Sequence, residues 1–165
     1  MLVGEDTPAM KLIANRIESR DLNVQLVGCA GEALTVAENT DIDLVILNFK
    51  DLMNEGIQLL RNLRRKRPQT EVITLSTPSE VRFSMESMKL GVFEDLLMPF
   101  DLEYLVGRIL QALQQRKSQR GRRSLGQKLE DLAAAACFAE AGDFETARAL
   151  SMTPGPGTKS KREDN

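Results

Sequence analysis

Asp43-Leu44-Val45-Ile46-Leu47-Asn48 is a short apolar run that ends on one polar side chain. Residues 44–47 carry no charge and no alternation of apolar with polar positions. That pattern predicts a strand covered on both faces, as in a parallel sheet flanked by helices. Asn48 falls where the strand leaves the core. In open α/β folds the reactive groups gather at the carboxyl ends of the strands, so Asn48 marks the place to look for function. An amide there is neither a nucleophile nor an acid or base, which limits the chemistry the position supports.

On either side of this run the chain alternates strand with helix. Met1-Leu2-Val3-Gly4 reads as a minimal first strand, followed by Glu5-Asp6 and by Thr7-Pro8, a capped helix start. Leu12, Ile13 and Ile17 give that helix one apolar stripe. Residues 24–27 predict the second strand, and 31–39 a short helix with Ala33, Leu34 and Ala37 facing in. Residues 49–56 read as a polar loop, and 57–66 as a helix with Leu59, Leu60 and Leu63 inward. Arg61, Arg64, Arg65, Lys66 and Arg67 crowd its end, where cations suit the helix dipole and read as a solvated cap. Val72-Ile73-Thr74-Leu75-Ser76 is a fourth strand, 78–90 a helix closed by Gly91, and 92–97 a fifth strand running into Met98-Pro99-Phe100. Asp101 caps a long helix carrying Leu102, Leu105, Val106, Ile109, Leu110 and Leu113 at helical spacing. Right-handed crossovers place these helices on both faces of a doubly wound, five-stranded parallel sheet, an α/β fold.

Composition removes several classes of function. The 165 residues carry a net charge of -2, which indicates neither disorder nor a general nucleic-acid field. Histidine is absent, and with it imidazole acid–base chemistry, histidine metal ligands and a phosphohistidine carrier. Cys29 and Cys137 stand in no metal-like spacing and read as buried thiols. No apolar run approaches the ~18 residues of a spanning helix, and the amino terminus is no signal peptide, so a cytoplasmic protein is expected.

Five landmarks in register carry a resemblance. They are Glu5-Asp6 after the first strand, Asn48 after the third with Gly56 eight residues on, Ser76 after the fourth, and Pro99-Phe100-Asp101 after the fifth. Their order and spacing resemble the receiver domain of two-component response regulators, over roughly residues 1–113. The resemblance implies a flavodoxin-like receiver fold and a phosphorylation pocket. Glu5 and Asp6 take its Mg²⁺-binding acid positions, Asn48 the phosphoacceptor position, Ser76 the hydroxyl position and Met98 the lysine position. It also implies a cis peptide before Pro99, and it puts Asp95 where the family carries an aromatic that changes rotamer.

Three of these residues depart from the pattern. An amide oxygen at Asn48 gives no stable acyl phosphate. Without a third carboxylate, Glu5 and Asp6 would hold Mg²⁺ only weakly, so no cofactor is expected. Met98 cannot stabilise charge developing on a phosphoryl group, and Asp95 cannot serve cheaply as the buried half of a rotamer switch. Losing one carboxylate together with one ammonium leaves the pocket's net charge unchanged, so the two changes read as a pair. Simpler readings stand beside each assignment: Glu5-Asp6 as anions at a helix start, and Ser76 as a strand-end group satisfying backbone. Asp51, three residues past Asn48, reads as a solvated loop acid, because the Asn48-to-Gly56 spacing argues against a slipped register.

Past the receiver-like domain at 1–117, residues 118–124 read as a basic linker, 125–152 as a helical hairpin and 153–165 as a disordered tail. Arg116, Lys117, Arg120, Arg122 and Arg123 come without an intervening acid or aromatic, which suits a solvated helix end and linker better than a nucleic-acid surface. Residues 138–147 resemble the joint of one tetratricopeptide repeat. A single repeat does not stand alone, so this pair is expected to dock on the receiver, on a second copy or on a partner. The functional expectation is a non-catalytic signalling module, independent of phosphorylation, that contacts other signalling proteins, forms a homodimer and avoids membranes. Two alternatives stay open. One is a phosphorelay component that still binds Mg²⁺, phosphate or a phosphorylated partner at Glu5, Asp6 and Ser76. The other is a DNA-associated regulator acting through the basic linker.

Overall fold

Residues 1–140 are described by a computed structural model, without the side chains of 122–124, 127, 131 and 134–140 in the last helix. Strands β1 (Leu2–Val3), β2 (Leu26–Val27), β3 (Leu44–Asn48), β4 (Glu71–Ser76) and β5 (Glu94–Leu97) form one sheet. Its order is β2-β1-β3-β4-β5 and every pairing is parallel. The helices are α1 (Pro8–Glu18), α2 (Ala30–Asn39), α3 (Phe49–Lys66), α4 (Val81–Lys89) and α5 (Leu102–Glu140). This is the doubly wound sheet expected from the alternation.

The apolar run that opened the reading sorts its side chains with the period of two that a pleated strand imposes. Leu44 and Ile46 join Met10, Ile13 and Ile17 of α1 and Leu105, Ile109 and Ala112 of α5 on one face. Val45 and Leu47 join Ala33 and Ala37 of α2 and Leu59, Leu60 and Leu63 of α3 on the other. Strand order reverses between β1 and β3, where Val3 lies opposite Leu47. That reversal opens the crevice at the carboxyl ends of the two strands.

Local signals set the ends of several elements. Thr7 caps α1 by accepting from Met10 N at 3.3 Å, and Asp101 Oδ1 accepts from the backbone N–H groups of Glu103 and Tyr104 ahead of α5. Gly91 closes α4 at a φ of 76°, a backbone region that an L side chain seldom adopts.

Four readings are corrected. Residues 49–56 are not a loop: α3 begins directly after Asn48 and is interrupted only at Met53, with φ 43° and ψ -121°. Gly56 is needed there because a Cβ would stand 2.9 Å from the buried Phe49 ring. Residues 78–90 divide into a 3-10 turn over Pro78–Glu80 and then α4. Residues 118–124 are helical within α5, since one glycine among good helix formers costs only about 1 kcal/mol and no proline intervenes. Leu12, Leu110 and Cys29 are exposed, against the inward or buried placement their spacing suggested. The chain divides after Lys117 into two units. The second half of the expected hairpin, most of the repeat-like joint and the tail lie outside the described residues, as does the side chain of Cys137. Among the described residues no helix is long and apolar enough to cross a membrane.

Candidate functional site

Asn48 ends β3 and caps α3, so its amide is held from both sides. Its Oδ1 accepts from Lys50 N at 3.3 Å, and its Nδ2 donates to Asp51 Oδ2 at 2.7 Å. Asp51 Oδ2 also accepts from Glu5 N at 2.9 Å, which ties the end of β1 to the start of α3. Asp51 is therefore not a solvated loop acid. Because the helix starts at Asn48, Asp51 is its third residue, and a side chain at that position reaches back over the cap. Gly4 measures how full the crevice is. A Cβ there would lie 2.8 Å from Asp51 Oδ2, 2.9 Å from Met10 Cε and 3.0 Å from Asn48 Cβ.

Glu5 and Asp6 are exposed, and Glu5 enters the crevice through its backbone N–H. Asp6 pairs with Lys11 at 3.1 Å on the surface, where such a contact contributes little. Among the described residues no three His, Cys, Asp or Glu side chains come together as a metal-holding group. Asn48 Oδ1 and Asp51 Oδ2 already accept protein donors. The donor set does not fit a resident Mg²⁺.

Ser76 is fully buried at the end of β4, and its hydroxyl donates to Asp95 Oδ2 at 2.8 Å. Asp95 stands on β5, on the far side of β4 from Asn48. The same carboxylate accepts from Thr74 Oγ1 at 2.5 Å and from Ser84 Oγ of α4 at 2.6 Å. The two parts of the expected pocket thus belong to separate hydrogen-bonded sets: Asn48 with Asp51, and Ser76 with Asp95. Met98 is half-buried and packs against the core shared by α1 and α5. Its N–H donates to Ser76 O at 2.7 Å, and the Met98–Pro99 peptide is cis.

Sequence reasoning missed Asp51 and Ser84. The i, i+3 relation from Asn48 would have pointed to Asp51 had residue 49 been read as helical. Ser84 and Ser87 sit three apart on α4, where an apolar stripe would be expected. They face Asp95 and Thr74 respectively.

Three of the basic residues tie elements of the domain together. Arg64 donates to the carbonyls of Thr70, Leu90 and Gly91, and Arg67 to those of Ala37 and Glu38. Arg116, expected at a solvated helix end, is buried and paired at 2.7 Å with both Asp41 and Asp43. Nearby Glu71 is pushed above the usual carboxylate range by burial, against the pull of Arg64 and Arg116. Glu80 is held below that range by hydrogen bonds from Ser79 and Thr77, which cap the turn leading into α4.

Comparison with known proteins agrees with this arrangement of strands and strand ends. The chain is 29% identical over 115 residues to the transcriptional regulatory protein GlrR of Escherichia coli, matching 70% of this chain and 26% of that protein. It is 29% identical over 106 residues to the transcriptional regulatory protein MalR of Bacillus subtilis, matching 62% of this chain and 45% of that protein. The match thus spans about a quarter to a half of these relatives. Among solved structures, the CheY-like receiver domain protein of Methanospirillum hungatei superposes with a TM-score of 0.66 at 23% identity, covering 72% of this chain and 94% of that one. The receiver domain of NtrX from Brucella abortus gives a TM-score of 0.63 at 18% identity, covering 68% and 96%. The family profile of the response regulator receiver domain matches residues 1–110, and the chain belongs to that family.

Proposed function

We propose that this chain is a receiver module of the signal-transduction type that works without phosphorylation, by contact with other proteins. The observation carrying this reading is the engagement of Asn48. Its amide, at the acceptor position, donates to Asp51 and accepts from Lys50 N, in a crevice where Asp51, Met10 and Asn48 close on Gly4. An amide cannot become an acyl phosphate, and Met98 brings no cation to a phosphoryl group. On this reading the module performs no covalent step of its own, and Glu5 and Asp6 without a third carboxylate hold Mg²⁺ weakly if at all.

Its partners are other signalling proteins. A second copy of the chain is included, on the ground that Leu125, Leu129 and Leu132 are exposed on one helix at coiled-coil spacing. Leu129→Glu should then shift the sizing profile of the full chain toward monomer; an unshifted profile removes the homodimer from the reading. Nucleic acid is not included in this reading, and Arg116, paired with two acids, is one basic residue that does not serve a phosphate backbone.

The test is a titration of the full chain with beryllium fluoride and Mg²⁺, followed by amide NMR shifts. The expected result is no saturable shift at Asn48, Ser76 or Met98. Saturable shifts there would favour the phosphate-binding alternative and overturn this reading.

A further inference from the structure

We propose that Asp95 is a latch that holds α4 against strands β4 and β5 of the sheet. The starting observation is how little apolar surface α4 contributes to the core. A helix that covers a sheet ordinarily buries an apolar stripe. In α4 the one fully buried side chain is Ser87, while Val81, Met85 and Met88 are exposed. Phe83 reaches the Phe49 ring but is only half-buried.

Polar contacts take the place of that stripe. In the middle of the helix, Ser84 donates to Asp95 Oδ2 at 2.6 Å, and the Ser87 hydroxyl lies 3.4 Å from that of Thr74. Asp95 joins this to the sheet by also accepting from Thr74 and Ser76, both fully buried. One carboxylate thereby satisfies three hydroxyls from β4 and α4, which an apolar side chain at position 95 could not do. The ends of the helix are fastened separately, by the Thr77–Glu80 cap before it and by Arg64 on the carbonyls of Leu90 and Gly91 after it. A helix held to the sheet by polar contacts, with little buried apolar surface of its own, can open while the rest of the domain stays folded.

The latch also engages the end of β4. Ser76 shares the Asp95 carboxylate with Ser84 of α4, so its hydroxyl is already committed. An event at Asn48 would have to break a charge-assisted hydrogen bond before Ser76 could report it. The inference rests on side-chain contacts of Asp95 and would survive a failure of the phosphorylation-independent reading.

The test is amide hydrogen exchange on the full chain, comparing wild type with Ser84→Ala and Asp95→Ala. Ser84→Ala removes the α4 leg of the latch and leaves both β4 hydroxyls satisfied. Exchange over 81–89 is expected to rise roughly tenfold or more in Ser84→Ala, as for loss of one hydrogen bond to a charged group, with β3 amides unchanged. In Asp95→Ala the rise over 81–89 should exceed any rise in β3. Unchanged exchange over 81–89 in both variants would overturn the latch. So would equal rises in α4 and β3, because Asp95 would then be a general core contact.

Discussion

Asn48 and Ser76 close two neighbouring strands, and each has given its polar group to a carboxylate, but the two partnerships are built differently. Asn48 meets Asp51 from its own helix cap, three residues away and partly open to solvent. Ser76 meets Asp95 from the adjacent strand, in a cluster whose other donors come from Thr74 and Ser84 and where Ser76 and Thr74 are fully buried. The first contact is local and closes a crevice. The second is long-range and joins a helix to two strands. Both take groups that a phosphoryl-binding pocket would need and direct them to separate anions.

The difference can be broken from either side. The largest expected effect is at the buried set: Asp95→Ala takes from the Thr74, Ser76 and Ser84 hydroxyls the carboxylate they share. A loss of about 3 kcal/mol is expected by denaturant unfolding, as several hydrogen bonds to one charged group are lost. Asn48→Asp comes next. It replaces a donated hydrogen bond by two carboxylates in contact, and should lower stability by about 2 kcal/mol near neutral pH. Protonation of one of the pair on acidification should restore part of that loss, so the deficit relative to wild type should shrink below about pH 5. Gly4→Ala presses on Asp51 Oδ2, Met10 and Asn48 without changing charge. About 1 kcal/mol is expected, with amide shifts confined to residues 4–6 and 48–51 if Asp51 is what yields.

The smallest effect concerns a carboxylate in a different situation. Glu71 is pushed above the usual range chiefly by burial, with Arg64, Arg116 and a hydrogen bond from Gln115 opposing. Its folded form therefore holds a proton more readily than its unfolded form. Ionised, it subtracts from stability above the raised pKa, and the penalty disappears as pH falls through the unfolded value. Glu71→Gln should thus be neutral to slightly stabilising at pH 7, by under about 1 kcal/mol, with no gain in acid. A marked destabilisation at pH 7 would mean that the two arginines outweigh burial.

Much of the fold was legible because apolar periodicity is a direct consequence of which faces are covered. Leu44 to Leu47 read correctly as doubly buried, and the strand ends that matter followed from it. The start of α3 was not legible, since Lys50, Asp51, Asn54 and Glu55 look like a polar loop when Asn48 is taken for a reactive group and not a cap. That error also hid Asp51. Asp95 was noticed only as a departure from a pattern. Its role depends on Thr74, Ser76 and Ser84 arriving from other elements, and no local sequence pattern brings them together. Arg116 was misjudged for the same reason: its acids, Asp41 and Asp43, lie more than seventy residues earlier.

The most direct measurement is intact mass after incubation with a small-molecule phosphodonor and Mg²⁺, on wild type, Asn48→Asp and Asn48→Asp/Met98→Lys. No added phosphoryl group is expected on wild type. Little is expected on the single variant, where Asp51 and Met98 remain, and one group on the double variant. A phosphoryl group on wild type, with Asp51 or Asp6 the first places to look for it, would contradict the closed crevice and the phosphorylation-independent reading with it.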